Sequence, residues 1–152
     1  MITLKYFAYG SNMSKSRMIK RGLPISNRQT GILEDYKFII NKKSYKNPNI
    51  GFANIIPSNK DVVEGILYDV TEEDIKKLDK FEGYPKHYDK KILTIKLSTG
   101  DLTHAIVYVA KDDWVSETTL NSTIDYKNFI LEGVNFLSAK YFYFLKENIK
   151  TN

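Results

Sequence analysis

Apolar residues along this chain fall into short alternating or continuous runs through its first two thirds and change to helical spacing near its end. Leu4, Tyr6 and their aromatic neighbours favour a strand, which breaks at Gly10-Ser11-Asn12; Ser14 can then cap a helix through Arg17 and Met18. Gln29 to Asn41, with Ile32, Leu33, Tyr36, Phe38, Ile39 and Ile40, predicts a second strand. Ile50 to Ile56 predicts a third that Pro57 should stop, with Lys42 to Asn49 as the loop between them. Val62 to Val70, Lys90 to Leu97 and Leu102 to Ala110 are strand-like, and Ser98-Thr99-Gly100-Asp101 makes a hairpin turn in which glycine can take a positive φ. Thr71 followed by Glu72, Glu73 and Asp74 opens a short helix that turns Ile75 and Leu78 inward and ends near Gly83. Tyr126, Phe129, Ile130, Val134 and Leu137 recur at helical spacing, followed by Tyr141, Phe142 and Leu145.

With 152 residues, 42% of them hydrophobic, the chain is expected to form one domain over residues 1–152 with its own core. No internal repeat, low-complexity tract or linker interrupts it. The absence of cysteine excludes disulfides, thiolate metal sites and a cysteine nucleophile. No basic, apolar leader opens the sequence, and no apolar run approaches the roughly 20 residues that span a bilayer. A cytoplasmic location without membrane association is therefore expected.

The net charge of +5 invites a nucleic-acid reading, but its distribution opposes one. Among 23 basic residues only Arg17, Arg21 and Arg28 are arginine, and the lysines are scattered, commonly beside acids as in Glu72 to Lys80. Tight clusters are small, Lys42-Lys43 and Lys90-Lys91, and the charge as a whole reads as a solvated, lysine-rich surface that would also attract small anions. No nucleic-acid partner is expected, and no recognition module for one is visible.

Two segments carry candidate chemistry. At Gly10-Ser11-Asn12, main-chain N–H groups can face an anion at the start of a helix, although an ordinary strand-to-helix connection has the same composition. In Leu78-Asp79-Lys80-Phe81-Glu82-Gly83-Tyr84-Pro85, Glu82 has apolar and aromatic company. Burial there would raise its pKa toward that of a useful proton carrier; the local sequence alone favours an exposed acid paired with Lys80 or Lys86. Asp79 reads as a surface or capping acid, and His87, His104 and Trp114 as hydrogen-bonded or packing residues. Ser11 lacks the surroundings of a hydrolase nucleophile elbow, and no metal pair, phosphate loop or dinucleotide fingerprint is present.

Together, Tyr6 to Met13 (YFAYGSNM) and Leu78 to Gly83 (LDKFEG) resemble the γ-glutamylcyclotransferase superfamily (γ-glutamylcyclotransferase-like, AIG2-like), with its Y-G-S-N loop and distant catalytic glutamate. Arg17, Gly51 to Pro57, Val63 to Tyr68, Tyr88, Val107 to Val109 and Tyr126 to Gly133 follow in the family order, so the resemblance covers nearly the whole chain. It implies an α+β fold, a small mixed β-barrel flanked by helices. It also implies an enzyme that cyclises a γ-glutamyl small molecule to 5-oxoproline with release of an amino acid or amine, using no cofactor, metal or enzyme nucleophile. Glu82 would be the catalytic acid and base. Tyr6, Phe7, Ala8, Tyr9, Gly10, Ser11, Asn12 and Tyr126 would bind substrate. The chain departs from the family at Asn121 to Asp125, where a proline-serine pair is usual, and at Phe136-Leu137-Ser138, which replaces Gly-Leu-Pro. These segments shape the leaving-group side, so free γ-glutamyl amino acids, γ-glutamylamines and γ-glutamylated intermediates all fit. A non-catalytic small-ligand-binding or interaction domain on the same fold is the alternative, and the resemblance sets no oligomeric state.

Overall fold

The computed structural model describes residues 2–152. Its strands are β1 (Leu4–Ala8), β2 (Gln29–Lys43), β3 (Gly51–Val70), β4 (Tyr88–Leu97) and β5 (Leu102–Ala110). They close a barrel in the order β1-β3-β2-β4-β5. Every pairing is antiparallel except the seam, where Tyr6 of β1 meets Ile106 of β5 in parallel. Helices α1 (Lys15–Lys20), α2 (Glu72–Glu82), α3 (Ile124–Leu131) and α4 (Ala139–Asn148) flank it. This is the expected α+β architecture, a small mixed barrel with helices around it.

Glycine at two facing positions lets the barrel pack closely around Phe7. Gly31 of β2 faces Gly65 of β3, and Phe7, fully buried, fills the space that their missing side chains leave. A Cβ on Gly65 would lie 2.4 Å from the Ala8 carbonyl oxygen and 2.9 Å from the Phe7 ring. The core continues through Ile55, Ile66, Leu67, Tyr68 and Ile95. Among the described residues no helix is long and apolar enough to cross a membrane.

Three element boundaries differ from the sequence reading. β3 does not stop at Pro57, which sits opposite Tyr36 beside a bulge in β2. β1 pairs only with residues 66–70 of β3, so Pro57 has no second strand to disappoint with its missing N–H. The loop after β2 is shorter than Lys42 to Asn49, because Lys42 and Lys43 still pair with Phe52 and Gly51. Finally, the segment from Tyr126 to Leu137 is not one helix: α3 ends at Leu131 and tightens into a 3-10 turn over Glu132–Phe136. Glu132 is held there by the Ser14 hydroxyl at 2.9 Å, while Gly133 packs so closely that a Cβ would lie 3.0 Å from Met13.

The elements that carry the candidate chemistry form as their sequences direct. The Ser14 hydroxyl accepts the Arg17 N–H and caps α1. Thr71 and Asp74 make a reciprocal capping box that starts α2. Gly83, with φ of 66°, ends α2 in the left-handed conformation that glycine adopts without strain.

Candidate active site

At the end of β1 the chain turns through Gly10 into a 3-10 turn, Ser11–Met13, before α1. Gly10 has a φ of −118°, so its value here is room rather than a left-handed backbone: a Cβ would press on Ala53 at 3.1 Å and approach the Tyr126 hydroxyl at 3.6 Å. The turn's own bonds start later, from Met13 N–H to Gly10 and from Ser14 N–H to Ser11. The N–H groups of Gly10, Ser11 and Asn12 therefore have no protein acceptor among the described residues, as the opening donors of a helical turn must unless something caps them.

Asn12 holds this turn in place. Its amide donates to the Tyr6 hydroxyl at 3.0 Å, its carbonyl side chain accepts from Arg21 at 2.9 Å, and its backbone carbonyl accepts from the Tyr68 hydroxyl at 2.6 Å. Tyr9 donates to the Tyr108 carbonyl at 2.6 Å, and Tyr88 to the Ala53 carbonyl at 2.7 Å. The Tyr126 hydroxyl accepts the Ala53 N–H at 2.9 Å, which leaves its own proton free to donate. Burial pushes the phenols of Tyr6, Tyr9, Tyr88 and Tyr126 upward, so all are neutral donors at physiological pH.

A cavity of about 560 Å³ joins these groups. Tyr6, Phe7, Tyr9, Gly10, Ser11 and Asn12 line it, as do Glu82 from α2 and Tyr126 from α3. Ala8 is not among the lining residues: it is buried and paired with Ile66. Glu82 is half-buried. No protein group hydrogen-bonds its carboxylate among the described residues. Desolvation raises its pKa above the usual carboxylate range, partly offset by Arg21, Arg17 and Lys42. Its position in the last turn of α2, at the negative end of the helix dipole, also disfavours the charged form. The alternative of a surface ion pair with Lys80 or Lys86 is not what forms.

Several residues here were not anticipated as site residues. Arg17 in α1 and Arg21 at its C-cap stack on Phe129 and Phe81, each 4.6 Å from the ring centre. The Arg17 Nε is buried without a partner. Lys42, expected on the surface, is 4% exposed and lines the cavity. Strand alternation could not have found it, because the register shifts between Ile40, opposite Ala53, and Lys42, opposite Phe52. Asp79 is not a simple surface acid: the Tyr108 hydroxyl donates to it at 2.7 Å, and Lys90 pairs with it at 3.0 Å. His87 stacks on Trp114 with ring centres 4.2 Å apart, whereas the side chain of His104 meets the Thr94 hydroxyl at 3.4 Å. No group of potential metal ligands occurs among the described residues.

The chain matches the family model described as "Gamma-glutamyl cyclotransferase, AIG2-like" over residues 6–129. It is similar to a solved structure titled "Gamma-glutamyl cyclotransferase" at 23% identity and a TM-score of 0.83, over 99% of this chain and 90% of the other. An uncharacterized protein from Homo sapiens is similar at 24% identity and a TM-score of 0.82, over 99% and 89%. YkqA from Bacillus subtilis gives 20% identity and a TM-score of 0.86, over 100% of this chain but 57% of that one. No curated protein matches the chain significantly.

Proposed function

This chain belongs to the γ-glutamyl cyclotransferase, AIG2-like family, and from that premise we propose that it cyclises a γ-glutamyl compound to 5-oxoproline, with Glu82 as the proton carrier. The observation that supports this most is the placement of a desolvated, unpartnered carboxylate in the same cavity as three free main-chain N–H groups. A group with that environment can both accept and release a proton near neutral pH.

In the proposed reaction the substrate's α-ammonium loses a proton to Glu82, and the freed amine attacks its own γ-carbonyl carbon. A ring C–N bond forms as the carbonyl oxygen takes up negative charge. Glu82 then returns its proton to the leaving nitrogen, the old C–N bond breaks, and the surplus proton of the ring nitrogen leaves with the released amine. The N–H groups of Gly10, Ser11 and Asn12 supply donors for the oxyanion or the α-carboxylate, each worth up to roughly 3 kcal/mol when aimed at developing charge. Arg17, whose side chain lines the cavity, offers a second anion contact. Confining the folded substrate against Tyr6, Tyr9 and Tyr126 adds the larger contribution, on the order of 7 kcal/mol for an oriented intramolecular attack.

Incubating the protein with a panel of γ-glutamyl amino acids and γ-glutamylamines, and following 5-oxoproline by mass spectrometry, tests the reading directly. Product from at least one compound is expected. Binding of the same compounds without any product would replace the cyclase with a small-ligand-binding domain.

A further inference from the structure

The cavity is lined by five basic side chains, Arg17, Arg21, Lys42, Lys46 and Lys80, against one acid, Glu82. A γ-glutamyl substrate needs only one cationic contact for its α-carboxylate, and the Arg17 and Arg21 pair beside the Gly10 turn already provides it. Lys42 therefore requires its own explanation.

Lys42 reaches the cavity from another wall, the end of β2, among Phe52, Tyr88 and Trp114, whose ring centres lie 5.8, 5.7 and 4.7 Å from its Nζ. Its Nζ donates to the Lys43 carbonyl at 2.8 Å and contacts His87 Nδ1 at 2.8 Å. Burial and the two neighbouring lysine charges lower the His87 pKa, so Nδ1 is free to accept. An ammonium carries three N–H donors, and here one is left without a protein partner. No carboxylate pairs with it among the described residues. A buried cation with an unused donor in a cavity wall is an anion site waiting for its anion.

We propose that Lys42 binds a carboxylate on the leaving group, so that the site selects γ-glutamyl compounds whose released amine carries an acid over those that release a plain amine. This rests on the cyclase reading for the identity of the glutamyl half. In such a substrate the two carboxylates lie on opposite sides of the scissile bond. The charges enter from different elements: Arg17 and Arg21 from α1 and its C-cap, Lys42 from the end of β2, with Glu82 of α2 in the same cavity. The aromatic wall excludes water around Nζ and makes the ion pair stronger than one on the surface.

The test compares γ-glutamylalanine with γ-glutamylethylamide, the same molecule without the leaving-group carboxylate. The wild-type chain is expected to favour the acid by about tenfold to a hundredfold in kcat/KM, mostly through KM, as one charge-assisted hydrogen bond gives. Lys42→Met brings that ratio close to one, and Lys42→Arg keeps most of it. Equal handling of both compounds by the wild type overturns the proposal, and so does an equal loss on both in Lys42→Met, which marks a structural lysine. Should Lys42→Met not fold, Lys42→Gln, which keeps a polar end without the charge, reads the same ratio: a value near one supports the proposal and an unchanged preference overturns it. Calorimetric binding separates the two readings: tighter binding of the acid without 5-oxoproline from either compound sinks the cyclase and leaves the subsite, whereas absence of both binding and product sinks both.

Discussion

Replacing Glu82 by glutamine removes one ionisable proton site from the cavity at almost constant size. General acid and base catalysis by a positioned side chain is worth about 100-fold to 10,000-fold, or roughly 3 to 5 kcal/mol of barrier, so turnover should fall by that factor while the folded chain persists. The same substitution has a sign to check in stability. Glu82 has a raised pKa because burial penalises its charge more than Arg21, Arg17 and Lys42 repay. Between the ordinary value of 4.5 and its raised folded value, the folded chain retains a proton that the unfolded chain has released. The native state then binds more protons, and the wild type loses stability as pH rises through that window. Glutamine resembles the protonated acid, so Glu82→Gln lacks this loss. Urea unfolding of both proteins from about pH 4 to about pH 8, with 5-oxoproline release measured on the same preparations, reads both effects. The reasoning is refuted if the variant retains turnover within a factor of about ten, or if the wild type gains stability relative to it as pH rises.

Other substitutions test the supports of the site. Tyr126→Phe strands the Ala53 N–H that now donates to the phenol at 2.9 Å, and should lower stability by roughly 1 to 3 kcal/mol, seen as a lower urea midpoint at unchanged slope. Entry of water into the cavity would put the loss at the low end. Gly65→Ala drives a methyl to 2.4 Å from the Ala8 carbonyl and onto the Phe7 ring; a cost of about 1 to 3 kcal/mol should lower Tm by about 2 to 4 °C per kcal/mol. Because β1 must shift to relieve that clash, kcat should fall as well, and a thermal melt indistinguishable from wild type would contradict the packing described for Phe7.

What the chain discloses by itself is local. β1 breaking at Gly10, the Ser14 cap of α1, the Thr71 start and Gly83 end of α2 and the turn at Gly100 all depend on backbone preferences and hydrogen bonds within a few residues. They are legible without a partner, as is the order of motifs that points to the family. The extent of β3 was not legible, because Pro57 is harmless only where β1 does not reach it. The break of the last helical segment was likewise hidden, since Ser14 and Met13, over a hundred residues earlier in the chain, help to set it. The site depends most on distance in sequence. Local sequence favoured bulk water for Glu82 and a solvated surface for Lys42. Whether a charge is stabilised depends on what displaces its water, and those groups arrive from β1, α1, β3 and α3 only when the barrel closes.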